Sequence, residues 1–110
     1  MKGYHISSIK SRDLILKDGL IPMLGKRAKR CGETSEKIYF STNIDVILKL
    51  LNNRRFNSDP EFSDGIDIWS FEIPPDLYII PDLNFNMGFF IKDHINSSML
   101  ELYKSFYWKR

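Results

Sequence analysis

The chain has 110 residues, a net charge of +2 and one cysteine, with 43% hydrophobic and 14% aromatic residues. This length predicts a single domain over residues 1–110 with one modest core. The lone Cys31 excludes an internal disulfide and cannot by itself hold a structural zinc ion. The apolar runs are too short to cross a bilayer and no signal peptide precedes the first strand, so we expect a cytoplasmic protein with no membrane association.

The N-terminal segment predicts a strand, then a helix, and then an extended segment after the helix. Residues 2–7, "KGYHIS", have the composition of a short strand. Ser8 or Ser11 can cap the helix that follows. Asp18-Gly19 ends it, because glycine can adopt the left-handed conformation that terminates helices.

The next segment, residues 26–37, is rich in cations and has no apolar period. It holds five Lys or Arg residues, whereas "SDPEFSDGIDIW" later in the chain is acidic. A basic loop opposite an acidic one could steer a phosphate-bearing ligand, or both could be solvated loops. Cys31 lies in the basic loop but lacks an evident base partner, which argues against a reactive thiol.

A second strand and helix follow in "KIYFSTNIDVILKLL". Thr42 or Asn43 can cap this helix. Its apolar residues recur at helical spacing, which predicts a face toward the core; they are Ile44, Ile47, Leu48 and Leu51.

The C-terminal half predicts several strands. "IDIWSFEI" alternates, with Ile66, Ile68 and Ser70 on one side and Asp67, Trp69, Phe71 and Ile73 on the other. "LYII" and "GFFIK" are further short strands, and "MLELYKSFYW" is a last strand or, in its first half, a helix. Two early helices and a strand-rich second half predict an α+β domain.

Most catalytic signatures are absent from the sequence. The glycines do not form a phosphate-binding loop. His5 and His94 lie far apart without metal-ligand spacing, so no metal site is expected. His5 in the first strand and Tyr39 in the second are, taken singly, typical of a hydrogen-bonded strand histidine and a core aromatic.

Taken together, "YHIS", "LILKDGLIP" and "KIYFST" resemble the ADP-ribosyltransferase superfamily. Its members carry a strand with His followed by Gly, Ser or Thr, a helix ending in a "GL.P"-like segment, and a strand of the form "IYF(A/S)" that leads into a helix. "GFFIKDHI" looks like the later "YIVYD"-like strand. The resemblance runs from Gly3 to about Leu102. It is to the small phage and bacterial members and to the tRNA 2′-phosphotransferase and DNA-modifying branches, rather than to the large eukaryotic enzymes. It implies a split mixed β-sheet core with two early helices.

The resemblance implies that NAD is bound and cleaved as a substrate. His5 would hydrogen-bond the ribose 2′-hydroxyl, and Tyr39 would stack on the nicotinamide ring. The remaining positions implied for NAD binding are the Ile6 backbone, Ser7, Ser41, Gly88 and, at the pyrophosphate, Arg12 or the cations of residues 26–30.

The family's catalytic glutamate has no counterpart in this alignment. It precedes the "YIVYD"-like strand, where this chain has Gly88 or Met87. Asp82, Asp93 or Glu101 could supply a carboxylate, and the sequence does not choose among them.

Two classes of function therefore stay open. The first is a mono-ADP-ribosyltransferase that modifies a protein or, less favoured, a nucleic acid, for example a phage or mobile-element effector against a host defence protein. The second is a catalytically silent member of the fold that binds or inhibits a partner, with "SFYWKR" as a candidate edge. An RNA 2′-phosphotransferase-like enzyme is less favoured, because the arginine-rich set of residues that this branch requires cannot be located in the sequence.

Overall fold

The fold is known from a computed structural model, which describes residues 1–22, 37–51, 60–77, 79–82 and 88–107. Several positions discussed above lie outside the described residues: the 26–30 loop, Cys31, Met87 and residues 108–110. No helix in the described part of the chain is long and apolar enough to cross a membrane.

Six strands of the described part of the chain form a single sheet. They are β1 (Lys2–Ser8), β2 (Ile38–Ser41), β3 (Ile66–Glu72), β4 (Ile80–Pro81), β5 (Gly88–Ile91) and β6 (Leu100–Phe106). Their order across the sheet is β4-β5-β2-β1-β3-β6. Residues 100–106 of the last segment form β6, so the helical alternative for its first half is wrong.

Within the described ranges, two short α-helices accompany the sheet, α1 (Arg12–Asp18) and α2 (Ile44–Leu50), together with 3-10 turns at Ile9–Ser11, Pro60–Phe62 and Ser97–Met99. The two early helices and the α+β class are confirmed.

The helix ends follow from local chemistry. The Asn43 side chain accepts a hydrogen bond from the Asp45 amide and caps α2. Ser8 caps the 3-10 turn before α1, whereas Ser11 makes no side-chain cap bond. Gly19 ends α1 with φ at 78°, a conformation that glycine adopts without steric cost.

The sheet is covered by apolar packing on both faces. Trp69 and Phe71 of β3 belong to one buried cluster, which also holds Ile15 of α1. Ile66 and Ile68 belong to another, which holds Ile47 of α2. Since successive residues of a strand point to opposite faces, the two clusters lie on opposite sides of β3, as its alternation predicted.

Among the pairings that β1 and β2 make, the one between these two strands is the shortest. Strand β1 pairs with β3 over seven register positions, from Lys2↔Glu72 to Ser8↔Ile66. Its ladder with β2 records one position, Tyr4↔Ser41. Two three-stranded halves, β4-β5-β2 and β1-β3-β6, therefore meet at a narrow seam.

The expected mixed sheet is not what the described strands form, because every recorded pairing is antiparallel. A parallel β1–β2 pair would need a crossover that returns the chain along the whole of β1. Helix α1 has seven residues and spans about 10 Å, less than half of the roughly 23 Å of a seven-residue strand. The helix alone therefore cannot return the chain to the start of β1.

Gly3 is required by the packing across β1. A Cβ at this position would lie 2.6 Å from Phe71 Cζ and 2.9 Å from Phe40 Cδ2. The rings of Phe40 and Phe71 meet edge to face at 5.4 Å, so the bare glycine lets an aromatic pair close over the strand.

We predict that Gly3→Ala lowers the free energy of unfolding by about 1–3 kcal/mol, because the buried rings must shift to admit the methyl group. Urea unfolding of the variant measures this loss. Lys2→Ala, on the exposed neighbouring position, serves as the control and should stay within about 0.5 kcal/mol of the parent. Equal stability of the two variants would contradict the packing argument.

Candidate functional site at the β1–β2 seam

His5 lies at the seam and bonds across it. Its Nδ1 is 2.6 Å from the backbone oxygen of Tyr39. A ladder would normally satisfy a carbonyl on an inner strand with a backbone amide. Here the Tyr39 carbonyl accepts its hydrogen bond from the His5 imidazole instead. A side chain therefore lies at the place where the two halves of the sheet separate.

This contact sets the tautomer of the histidine. A carbonyl oxygen only accepts, so Nδ1 must carry the proton and donate it. In the neutral ring Nε2 is then an acceptor. A hydroxyl group that reached Nε2 would find a hydrogen-bond partner whose orientation is already held by the protein.

Burial favours this neutral form. Desolvation lowers the pKa of His5 below its ordinary value of 6.5, and the hydrogen bond to the Tyr39 carbonyl opposes the shift without cancelling it. The imidazole at neutral pH is therefore an uncharged hydrogen-bonding group.

The Tyr39 side chain lies on the other face of the sheet from His5. Its neighbours on β2, Ile38 and Phe40, belong to the cluster of Trp69, so alternation turns the Tyr39 ring to the opposite side. There it lies 6.0 Å from the ring of Phe90.

His5 is on the Trp69 side together with Gly3 and Ser7. The chain thus brings the His5 ring to the Tyr39 backbone. Because the two rings lie on opposite faces of the sheet, a ligand that touches both must pass from one face to the other at the seam.

The two predicted serines have structural partners. Ser7 Oγ accepts a hydrogen bond from Trp69 Nε1 at 2.9 Å, which satisfies the buried indole. Ser41 is fully buried, and its Oγ accepts from the Asn43 amide at 3.1 Å in the turn that leads into α2. Ile6 packs against the cluster of α2. These residues shape the strands beside the seam.

Gly88 lies beside Ser41 and next to one of the three candidate carboxylates. It is in register with Ser41, and its backbone oxygen accepts a hydrogen bond from the Asp82 amide at 3.0 Å. Residues directly opposite on adjacent strands point to the same face, so Asp82 shares the face that a side chain at position 88 would occupy. Asp93 follows β5, and Glu101 lies on the far edge strand β6.

Arg12 is engaged in an ion pair, away from the seam. Its Nε and Nη2 bond the two oxygens of Asp67 at 2.9 and 2.7 Å, and Nη2 also donates to Ser105 Oγ and Tyr107 Oη. The hydrogen bonds and charge of Asp67, with a further bond to Tyr107, raise the pKa of Arg12 above its ordinary range. A guanidinium held in this way already has its countercharge, which counts against the pyrophosphate role expected for Arg12.

Asp67 is the site residue that the sequence reasoning did not single out. Its side chain is fully buried. Burial alone raises its pKa, but hydrogen bonds from Arg12 and Ser105 and the charge of Arg12 outweigh this, so its pKa is lowered. The sequence did contain a signal for it: an aspartate on the apolar side of a strand, the side that also carries Trp69. Because a buried carboxylate requires a partner, this pattern predicts an ion pair.

Comparison with known proteins gives no identification: no protein-family description, curated protein or solved structure matches this chain. The described residues contain no group of three or more His, Cys, Asp or Glu side chains that could hold a metal ion. The β1–β2 seam is therefore the feature from which we infer a function.

We predict that the stability of the protein falls as the pH is lowered through 6.5, in part through His5. The unfolded chain takes up a proton near this pH, whereas the folded state resists it because the pKa of His5 is lowered. The stabilising contribution is complete above the unfolded pKa and is lost as the pH falls toward the folded one.

Urea unfolding between pH 7.5 and 5.5 tests this, with His5→Gln flattening the pH dependence. His94→Gln, which removes the other histidine and leaves His5 in place, should keep the contribution of His5. The same slope in the parent and in His5→Gln would contradict the prediction.

Proposed function

We propose that this protein is a small NAD-dependent mono-ADP-ribosyltransferase whose substrate lies across the β1–β2 seam. The observation that carries the proposal is the bond between His5 Nδ1 and the Tyr39 carbonyl. It leaves Nε2 as an acceptor for a ribose hydroxyl on the Trp69 face of the sheet, while the Tyr39 ring, which could stack on nicotinamide, lies on the opposite face. The acceptor class we favour is a protein.

The shape of the sheet supports the same proposal. A sheet divided into two halves was expected from the resemblance, and the ladder between β1 and β2 is reduced to the pair Tyr4↔Ser41. Such a seam exposes strand backbone that a ligand carboxamide can use for hydrogen bonding. The backbone of Ile6, next to His5, is the candidate partner.

The chemistry explains the residue types. Breaking the bond between ribose C1′ and the nicotinamide nitrogen sends the bonding electron pair to nicotinamide and develops positive charge on the ribose. An acceptor hydroxyl, amine or water then bonds C1′ and loses its proton. Rigid hold of the ribose and ring lowers the barrier by orientation, and a nearby carboxylate stabilises the cationic ribose.

A silent binding protein of the same fold is the second candidate, and Gly88 is the observation that favours it. This position is buried within the β5 ladder and carries no side chain. Asp82, across the β4–β5 pair, lies on the Tyr39 face of the sheet, opposite to the face of His5. Under the first candidate it would serve catalysis for a ligand that passes from one face to the other at the seam. An RNA 2′-phosphotransferase would instead consume NAD together with a 2′-phosphorylated RNA end.

We predict that NAD binds with a free energy of about 5–8 kcal/mol, micromolar to submillimolar, and that His5→Ala abolishes this binding by removing the acceptor at Nε2. Isothermal titration calorimetry measures it. Tyr39→Phe keeps the ring and should retain affinity, whereas Tyr39→Ala should weaken it.

The matched control is His94→Ala, since His94 is exposed and bonds the Asp18 carbonyl, outside the seam. Circular dichroism confirms folding of each variant. Absence of NAD binding by the parent protein, or equal binding by His5→Ala, would refute the NAD proposal.

We further predict that Asp82→Asn slows release of nicotinamide from NAD on the order of 100-fold, because the cationic ribose loses its carboxylate, while NAD affinity changes little. Chromatographic detection of nicotinamide provides the rate.

Asp93→Asn is the control carboxylate variant and should keep the parent rate. If the parent protein does not bind NAD but does bind a partner, the silent binding protein is the correct alternative. If Asp82→Asn releases nicotinamide at the parent rate, Asp82 has no catalytic role.

A further inference from the structure

Strand β6 forms one end of the sheet, and its outer side has no strand partner among the described residues. An edge of seven residues carries backbone donors and acceptors that a further strand can use. Two large side chains are exposed along it, Leu102 at 44% and Tyr103 at 51%. A partner strand would cover both.

The inner side of β6 is held firmly in place. It pairs with β3 from Ile66↔Phe106 to Phe71↔Leu100. Ser105 Oγ donates to the buried carboxylate of Asp67 at 2.6 Å. The edge is therefore preorganised, and binding of a partner would not be weakened by the entropy cost of ordering the strand.

A bulge in β6 brings two opposite charges to one face. Glu101 is in register with Ser70 and Lys104 with Ile68, with a register shift between Ile68 and Trp69. Ser70 and Ile68 are two residues apart on β3, so they point to the same face. In a regular strand residues 101 and 104 would point to opposite faces, but the extra residue places both exposed side chains together.

We propose that two copies of this chain associate through their β6 edges, antiparallel and about a two-fold axis between residues 102 and 103. In this register Glu101 of one copy lies opposite Lys104 of the other, and the symmetry repeats the pair. Opposite charges directly across an antiparallel pair stabilise it, and like charges destabilise it. The result is a continuous twelve-stranded sheet, twice the six strands of one chain.

The pattern of charges favours a second copy over an unrelated strand. Any strand could use the backbone edge, but a sequence carrying Glu and Lys in this spacing is complementary to itself when reversed. The inference is independent of the proposed NAD chemistry, because β6 lies on the far side of β3 from the seam.

Sedimentation velocity over a concentration series tests the association. Glu101→Lys and Lys104→Glu should each weaken it about tenfold, because each variant places like charges opposite one another at both pairs. The double variant Glu101→Lys with Lys104→Glu exchanges the charges and should associate as the parent does. An equal mixture of the two single variants should also form a mixed dimer, in which every pair is again opposite.

Lys49→Glu on the exposed side of α2 is the control, since it changes the net charge by the same amount as Lys104→Glu. It should leave the association unchanged. A parent protein that stays monomeric at millimolar concentration overturns the proposal. So do single variants that associate like the parent, or a double variant that fails to recover.

Discussion

Burial of β3 on both faces is the constraint on which the rest of this structure depends. The strand supplies Ile66 and Ile68 to one cluster and Trp69 and Phe71 to the other. Both faces therefore need cover, and the two helices supply it, α1 on the Trp69 side and α2 on the opposite side. The pairings with β1 and β6 complete the surroundings of the strand.

The same burial explains the ion pair at the start of α1. Asp67 interrupts the apolar strand and would be costly there without a countercharge. Arg12 forms both hydrogen bonds to it, and Ser105 of β6 adds a third. One carboxylate thus ties the first turn of α1, the central strand and the edge strand together. Arg12, which we expected at the pyrophosphate of NAD, instead stabilises the fold.

The seam between β1 and β2 is the opposite case, since the candidate chemistry lies at the shortest pairing that either of these inner strands makes. A continuous ladder would satisfy the Tyr39 carbonyl with a backbone amide and leave no room for a ligand. With the ladder reduced to Tyr4↔Ser41, the His5 ring satisfies that carbonyl and keeps one nitrogen for other use. Stability is supplied by β3, and β1 can therefore serve two purposes, pairing on one side and presenting a polar group on the other.

The sequence by itself determined the features that depend on neighbouring residues. The alternation of β3, a helix cap at Thr42 or Asn43, the Gly19 stop and the α+β class could all be read from local pattern, because period and capping act within a few residues. Tertiary structure decided what lies across strands. It turned Tyr39 away from the side of His5, paired Arg12 with Asp67, and brought Asp82 to Gly88. These outcomes depend on register between segments distant in the chain, and a shift of one residue in register would reverse every face.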